Sequence, residues 1–147
     1  MPFGKPFESD TADFGSLRSM AGEMIAHTGS CHCRSVVFEV HAPSDLVVYE
    51  CNCSICSRTG FLHLIVEADC FRILSGESFL TSYKFGTKTA DHLFCRKCGV
   101  KSFYVPRSHP NGYSVNIRCL DREEITSVDT RPFDGQNWEE NRRHLDS

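Results

Sequence analysis

The chain has 147 residues, of which 40% are hydrophobic, and its formal net charge is −3. This length suits one domain with its own core and is too short for two ordinary domains. So small a negative charge creates no field that would attract nucleic acid or an anionic membrane, and we expect neither as a direct partner. No apolar run approaches the roughly 18 to 20 residues of a membrane span, and the N-terminus lacks the apolar stretch of a signal peptide. We therefore expect a reducing compartment, either the cytoplasm alone or the cytoplasm and the nucleus.

The first 26 residues carry little regular pattern and are interpreted as a leader that precedes a domain spanning residues 27–147. Near the N-terminus, proline and glycine recur without a periodic apolar face. A short helix is nevertheless predicted within the leader, because five apolar side chains recur at helical spacing. These are Phe14, Leu17, Ala21, Met24 and Ile25. Gly15 and Gly22 weaken that helix by up to about 1 kcal/mol each.

The rest of the chain is patterned for β-structure. Apolar residues alternate with polar ones, or form short apolar runs, in segments bounded by glycine, proline and asparagine. The predicted strands cover residues 36–40, 46–49, 61–66, 71–74, 80–85, 91–94, 101–105 and 113–117. Residues 138–145 are patterned as a short polar helix anchored by Trp138. The prediction is a mainly β fold, a single small zinc-binding domain of short antiparallel strands with a short C-terminal helix.

Nine cysteines are the chemically most informative feature of the sequence. Seven of them form a C-x-C pair, a C-x-C-x-x-C triad and a C-x-x-C pair. An odd number of cysteines in tight clusters, in a chain without an export signal, favours metal binding over disulfides. The two pairs are Cys31 with Cys33 and Cys95 with Cys98, and the triad is Cys51, Cys53 and Cys56.

The two pairs together supply the four ligands of a closed, structural zinc site. They lie more than sixty residues apart, so one ion bound by both would stabilise long-range β topology. Gly99 follows the second pair and suits a turn with positive φ. Four basic residues beside these cysteines either compensate the negative charge of the site or are solvated turn residues. They are Arg34, Arg96, Lys97 and Lys101.

The triad has three ligands and leaves one coordination position open, as catalytic zinc sites do. We expect it at the end of the strand 46–49, in a loop rather than on a helix, and we assign Cys51, Cys53 and Cys56 the catalytic role. The histidines His32, His41, His63 and His92 are interpreted as surface or core residues rather than ligands.

Cys70 and Cys119 belong to neither set. For Cys119 two interpretations stay open. It shares one face of a predicted strand with Tyr113, Val115 and Ile117. If that face belongs to the core, Cys119 is a buried core residue; if the face forms the wall of the site, Cys119 is a reserve ligand near the triad.

Three motifs resemble the glutathione-dependent formaldehyde-activating enzyme family, and more closely its centromere protein V-like branch. They are G-S-C-H-C at 29–33, C-N-C-S-I-C at 51–56 and F-C-R-K-C-G at 94–99, with D-L-V-V at 45–48, S-F-Y-V-P-R-S at 102–108 and C-L-D at 119–121. The likeness covers roughly residues 27 to 140. It implies an Mss4-like fold, one zinc ion on the pairs, a second on the triad, and carbon–sulfur lyase chemistry that joins glutathione and formaldehyde reversibly as S-hydroxymethylglutathione.

Three functions follow as alternatives. In the first, the protein is a lyase whose triad-bound zinc holds the glutathione thiol, with Arg58 and Arg107 as candidates for its carboxylates or, equally well, for exposed salt bridges. In the second, it is an inactive zinc module that binds a protein partner associated with the centromere or the cytoskeleton. In the third, it is a labile-zinc or redox protein. A cleft beside the triad favours the lyase, whereas a flat apolar patch favours the binding module.

Overall fold

A computed structural model describes residues 23–141. Its strands are β1 (Ile25–Ser30), β2 (Val37–Ala42), β3 (Asp45–Cys51), β4 (Leu62–Glu67), β5 (Phe71–Ser75), β6 (Leu80–Tyr83), β7 (His92–Cys95), β8 (Phe103–Tyr104), β9 (Gly112–Asn116) and β10 (Ser127–Phe133). Its helices are α1 (Ser54–Thr59) and α2 (Trp138–Asn141). Short 3₁₀ segments occupy Ala68–Cys70, Glu77–Phe79, Ile117–Cys119 and Gly135–Asn137. The predicted fold class, mainly β with a short helix near the C-terminus, is confirmed.

The strands form three small sheets. Their orders are β1-β2-β5, β10-β3-β4-β9-β8 and β6-β7. Every strand pair is antiparallel except β10 with β3, which run parallel from Ser127 opposite Asp45 to Phe133 opposite Cys51. Because of that pairing, the end of β10 and the chain that follows it lie beside the end of β3, where the triad begins.

The core is built by alternation along the strands. In β3, Leu46 and Val48 are buried whereas Val47 is exposed, as expected for a sheet with one solvated face. Three aromatic rings, Phe38, Phe71 and Phe103, meet at centroid distances of 4.7 to 5.7 Å across two of the sheets. Each such contact adds about 0.5–1.5 kcal/mol beyond the burial of area. They hold the β1-β2-β5 sheet against the sheet that contains β8.

Only the last part of the predicted leader helix falls within the described residues, and there the prediction of a helix is wrong. Ile25 is the first residue of β1 and is paired with Ala42 of β2, so it belongs to a sheet. The helical spacing at this point is a coincidence of apolar residues that the sheet pairing overrides. The other proposed helix positions through residue 22 lie outside the described residues, as do residues 142–145 of the predicted C-terminal helix.

Further strand boundaries differ from the prediction. The predicted strand 101–105 shrinks to β8, because only Phe103 and Tyr104 pair with β9. The predicted strand 113–117 ends at Asn116, whose side chain accepts a hydrogen bond from the Arg118 backbone and starts a 3₁₀ turn. Three elements, β1, α1 and β10, were not predicted. Within residues 23–141 no helix has the length and apolarity needed to span a membrane.

Candidate metal centres and the adjoining cavity

The two cysteine pairs converge on a single cluster. Cys31 follows β1 and Cys95 ends β7, and the sulfur atoms of all four cysteines lie within 4.8 Å of one another. The Sγ of Cys33 is 3.7 Å from the Sγ of Cys31 and 3.7 Å from that of Cys95. Such a four-thiol set can hold one metal ion in a closed site, as the sequence predicted.

Two backbone turns aim amide groups at the sulfurs of this cluster. The amides of Val36 and Lys97 donate to the Sγ atoms of Cys31 and Cys95, both at 3.4 Å. Gly99 adopts a φ of 81°, and its amide donates to the Cys95 carbonyl at 2.7 Å, which closes the second turn. This is the positive φ for which glycine was expected there. Amide donors favour the charged form of sulfur, which is the form that binds metal.

Lys101 fits neither of the two interpretations left open for it, compensation of the charge of this cluster or a solvated turn residue. Its ammonium is buried, and it lies 4.0 Å from the centroid of the Tyr104 ring and 5.1 Å from that of Phe61. The cysteines that act on its charge are Cys56 and Cys53 of the triad. Lys101 follows Cys98 by only three residues, but its side chain leaves the turn and enters the interior on the triad side.

The triad spans the end of a strand and the start of a helix. Cys51 ends β3, Cys53 is the N-cap of α1, and Cys56 is a buried residue of α1. Their sulfur atoms lie within 4.8 Å of one another, and the Cys56 amide donates to the Cys53 Sγ at 3.4 Å. The expectation of a loop rather than a helix is therefore wrong for Cys56. A six-residue helix is too short to leave a readable apolar period, which is why the sequence did not reveal it.

The three thiols of the triad shift one another's pKa values. Hydrogen bonds from Cys51 and Cys56 lower the pKa of Cys53 to about 2, and hydrogen bonding to Cys51 and Cys53, with burial, raises the pKa of Cys56 far above its ordinary value. The Cys53 sulfur is therefore deprotonated, whereas Cys51 and Cys56 keep their protons. Three thiolates would need a positive ion between them.

The segment after β10 clamps the triad from outside. The Asn52 amide donates to the Asp134 carboxylate at 3.1 Å, and the Gln136 backbone amide donates to the Asn52 side-chain oxygen at 3.0 Å. A Cβ on Gly135 would come within 2.3 Å of the Cys51 Sγ and 3.0 Å of the Cys53 Cβ. A glycine is therefore required at 135 for the chain to pass this close to the sulfurs. The sequence signalled only a turn at Asp134-Gly135 and nothing of the contact.

A cavity of about 450 Å³ opens beside the triad, and all three triad cysteines line it. Its aromatic wall is formed by Tyr49, Phe85, Tyr104, Phe133 and Trp138. Its polar groups include Ser54, His63, His92, Arg107 and Gln136. This size and mixture are typical of small-molecule sites. Of the two surfaces that the sequence left open, the structure has the cleft.

His63 joins the triad to the cavity wall. Its Nε2 is 3.2 Å from the Cys56 Sγ, and its Nδ1 is 2.9 Å from the Ser114 hydroxyl and 3.3 Å from the Tyr104 hydroxyl. Burial lowers the pKa of His63 to about 3, so the ring is neutral. The prediction of a core residue holds in part, because His63 is buried, but it also contacts a triad thiol. The one sequence signal was a polar residue interrupting the apolar run 61–66.

His92 and Lys101 form a second polar pair against the cavity. Lys101 Nζ lies 2.6 Å from His92 Nδ1, and the His92 ring stacks on Tyr104 with a centroid distance of 4.8 Å and an interplanar angle of 12°. The ring also stacks on Phe85, with a centroid distance of 5.2 Å. Burial, followed by the Lys101 charge, lowers the pKa of His92 to about 4. Burial also lowers the pKa of Lys101 to about 8.

The two arginines proposed for substrate carboxylates differ in position. Arg58 donates to the Ser54 carbonyl at 2.8 Å within its own helix and is not among the residues that line the cavity. Arg107 lines the cavity, with its guanidinium 3.8 Å above the Trp138 ring and paired with Glu139. Only Arg107 is therefore in a position to meet a bound molecule.

The two leftover cysteines lie away from the triad. Cys70 is buried in a small cluster with Met24 and Val66. Cys119 packs half-buried against the main core, in a 3₁₀ turn rather than on the strand face expected for it. Burial raises the pKa of Cys119, and the neighbouring Cys98 adds to the rise, so its charged neighbour is in the four-cysteine cluster. It is not among the residues that line the cavity.

Comparisons with known proteins agree with this architecture. A crystal structure of a Rhodobacter sphaeroides protein superimposes with a TM-score of 0.59 and 34% sequence identity, over 71% of this chain and 99% of that one. The pattern of the family described as glutathione-dependent formaldehyde-activating enzyme matches residues 26–136, which include both cysteine clusters. The chain therefore belongs to the glutathione-dependent formaldehyde-activating enzyme family.

Proposed function

We propose that the protein is a zinc-dependent carbon–sulfur lyase that joins the thiol of glutathione to formaldehyde, or releases it from the hydroxymethyl adduct, at the triad. The observation that carries this proposal is the opening of a three-thiol cluster into a cavity of about 450 Å³. A metal site with three protein ligands keeps a position for an exogenous ligand, and the cavity supplies the space in which that ligand would sit.

Zinc is proposed for both clusters because the donor sets are entirely sulfur. Soft thiolate ligands in a tetrahedral arrangement favour zinc over the hard divalent cations. When bound at the triad, the ion would offer a fourth position that holds the substrate sulfur as a thiolate at neutral pH. The four-cysteine cluster has no such position and would be structural.

The chain's own side chains supply recognition and shielding. Arg107 lies at the cavity with its guanidinium flat against Trp138, and a substrate carboxylate could compete with Glu139 for it. The aromatic wall limits access of water to the reacting carbon. His63 keeps Cys56 in a fixed position through its Nε2 contact while Ser114 fixes the other ring nitrogen.

The finer assignments are part of the same proposal. We propose the centromere protein V-like branch on the strength of the motifs at 45–48, 102–108 and 119–121. We propose a cytoplasmic location, with the nucleus as an addition, because the free thiols of both clusters need a reducing compartment. The thiol partner is favoured over a protein partner because the triad lies in a cleft rather than under a flat apolar patch. Nucleic acid and membranes are not expected as partners.

The decisive experiment follows S-hydroxymethylglutathione by exchange NMR in mixtures of glutathione and formaldehyde. Zinc-loaded protein should accelerate the exchange above the uncatalysed rate, and Cys53→Ser should remove the acceleration while leaving a folded protein. Cys70→Ser is the matched control, since Cys70 is buried away from both clusters. No acceleration by zinc-loaded wild-type protein would overturn the proposed lyase activity.

A further inference from the structure

The paired side chains of His92 and Lys101 form a polar unit that neither cysteine cluster uses. Lys101 is buried beside two aromatic rings, and the contact of its ammonium with His92 Nδ1 at 2.6 Å is a hydrogen bond. Burying an ammonium costs several kcal/mol unless it is paired, so a buried lysine against a histidine at a cavity calls for an explanation. A purely structural role would be met more cheaply by an apolar residue.

The hydrogen bond decides which nitrogen of His92 carries the proton. An ammonium has three donors and no lone pair, so His92 Nδ1 must accept. A neutral ring that accepts at Nδ1 carries its proton on Nε2. Lys101 is not among the residues that line the cavity, whereas His92 is. Nε2 is therefore the nitrogen through which His92 can donate to a molecule in the cavity.

We propose that Lys101 and His92 are a proton relay, in which His92 Nε2–H donates to the oxygen of the carbonyl substrate and Lys101 replenishes the proton through Nδ1. This inference rests on the proposed function, since it assigns the acid–base chemistry of that same reaction. His92 would be a catalytic residue because it touches the substrate oxygen, and Lys101 would act through it.

The proposed steps balance in both directions. In addition, the substrate sulfur, already ionised with its proton released to solvent, attacks the aldehyde carbon, a C–S bond forms, and the π pair of the C=O bond moves to oxygen. That oxygen takes the Nε2 proton while Lys101 passes a proton to Nδ1, which leaves a neutral ring protonated on Nδ1 and a neutral Lys101 amine. The resting state returns when Nε2 takes a proton from solvent and the Nδ1 proton passes back to Lys101. Elimination starts from the state with the neutral lysine: the hydroxyl proton moves to Nε2, the Nδ1 proton moves to Lys101, the C=O bond forms again, and the C–S bond breaks with its electron pair left on sulfur.

The surroundings of the pair suit this task. Stacking on the rings of Tyr104 and Phe85 restrains the plane of the His92 ring, which preserves the direction of Nε2. A pKa of about 8 for Lys101 lets it give and regain a proton near neutrality, where an ordinary lysine could only give with difficulty. The titratable groups that act on the pair are Cys53, Cys56, His63, Asp91 and Tyr104. Tyr104 stays protonated because burial raises its pKa well above the ordinary value.

The test measures the tautomer of His92 and the rate of the glutathione–formaldehyde exchange. In zinc-loaded protein with ¹⁵N-labelled histidine, long-range ¹H–¹⁵N spectra at pH 7 should show His92 protonated on Nε2 and bare on Nδ1. His92→Phe, which keeps the stacked ring, and Lys101→Met, which keeps the length of the side chain, should each lower kcat for the glutathione–formaldehyde exchange 10²-fold or more. KM should change less than about threefold, because binding is left to other groups. Lys84→Met, at an exposed position that does not line the cavity, is the control for loss of a lysine charge.

Each result bears on one claim. A His92 protonated on Nδ1 overturns the relay whatever the activity, because Lys101 could not then donate to it. Active wild-type protein with equally active His92→Phe or Lys101→Met, at full zinc content and with unchanged melting, also overturns the relay but leaves the proposed lyase function standing. Inactive zinc-loaded wild-type protein overturns the proposed function itself. A kcat for addition that declines as pH rises through about 8 in wild type, but not in Lys101→Met, is the signature expected of the relay.

Discussion

The two cysteine clusters are built from the same ligand type but draw their ligands from the chain in different ways. The four-cysteine cluster joins the turn after β1 to the end of β7, two segments more than sixty residues apart. None of its four cysteines lines the cavity. The triad draws its three sulfurs from six consecutive residues and faces the cavity. Cross-linking distant segments stabilises topology, whereas three adjacent ligands add little to it. Ligand spacing along the chain thus distinguishes the cluster that we propose to be structural from the one that we propose to be functional.

Breaking one site at a time should expose that difference most strongly. We expect Cys95→Ser to unfold or aggregate the domain, because a structural zinc site is worth on the order of 10 kcal/mol to folding. Cys53→Ser should remain folded with one zinc ion fewer. Circular dichroism melting and elemental analysis measure both effects. Equal losses of melting temperature in the two variants would show that the triad is structural as well.

Graded chelation should separate the same two sites without mutation. The four-thiolate ion should resist chelators that remove the triad ion, whose fourth ligand exchanges. We expect two zinc ions per chain, with the first loss leaving the melting curve nearly unchanged and the second abolishing the fold. Loss of all zinc in one step together with the fold would contradict the division into two sites.

The cysteine spacing predicted both clusters, because metal ligands close in sequence are a local signal. What the sequence missed depends on contacts between distant segments. From the sequence, Lys101 was a candidate either for charge compensation of the nearby four-cysteine cluster or for a solvated turn residue, and only the fold shows that it pairs with His92. Gly135 reaches the triad through the parallel pairing of β10 with β3, and β10 is mostly exposed, so it has little apolar alternation to reveal it. The local sequence pattern therefore predicts the metal ligands well and the residues that surround them poorly.

Gly135→Ala should weaken the triad site from outside it. The new Cβ would meet the Cys51 Sγ at 2.3 Å, so either the 134–137 segment or the sulfur must shift. We expect the second zinc ion to be held 10-fold or more weakly in a folded protein, measured by competition with a chromogenic chelator. Gly60→Ala is the control, because its φ of 66° makes alanine cost up to about 1 kcal/mol while no atom lies within 4 Å of the new Cβ. Unchanged zinc retention in Gly135→Ala would show that the clamp does not support the triad.

Acid should weaken the fold through His92. Its pKa is lowered to about 4 in the folded protein from the ordinary 6.5, so the unfolded chain binds the proton more tightly. The stability linked to the neutral ring is therefore present above about pH 6.5 and is lost as the pH falls toward 4. Between pH 7 and pH 5, the difference in unfolding free energy between wild type and His92→Gln should narrow by about 1 kcal/mol. Release of zinc by acid affects both proteins alike and cancels in the difference.

A gap between wild type and His92→Gln that stays constant from pH 7 to pH 5 would mean that the folded protein does not hold His92 neutral.

Substitution of Cys119 has the smallest expected effect and tests whether this thiol supports either of the two metal sites. It packs against the main core, belongs to neither cluster, and its charged neighbour is Cys98 rather than a triad sulfur. Cys119→Ala should therefore cost about 1 kcal/mol in unfolding free energy, the usual loss for truncating a half-buried small side chain. Retention of both zinc ions should be unchanged, measured by the same chelator competition. If the substitution instead weakens retention of the triad ion without lowering the melting temperature, Cys119 belongs to the functional site and the core interpretation is wrong. If it weakens the four-cysteine ion, the thiol supports Cys98 from the core side, and the structural site extends one residue beyond its ligands.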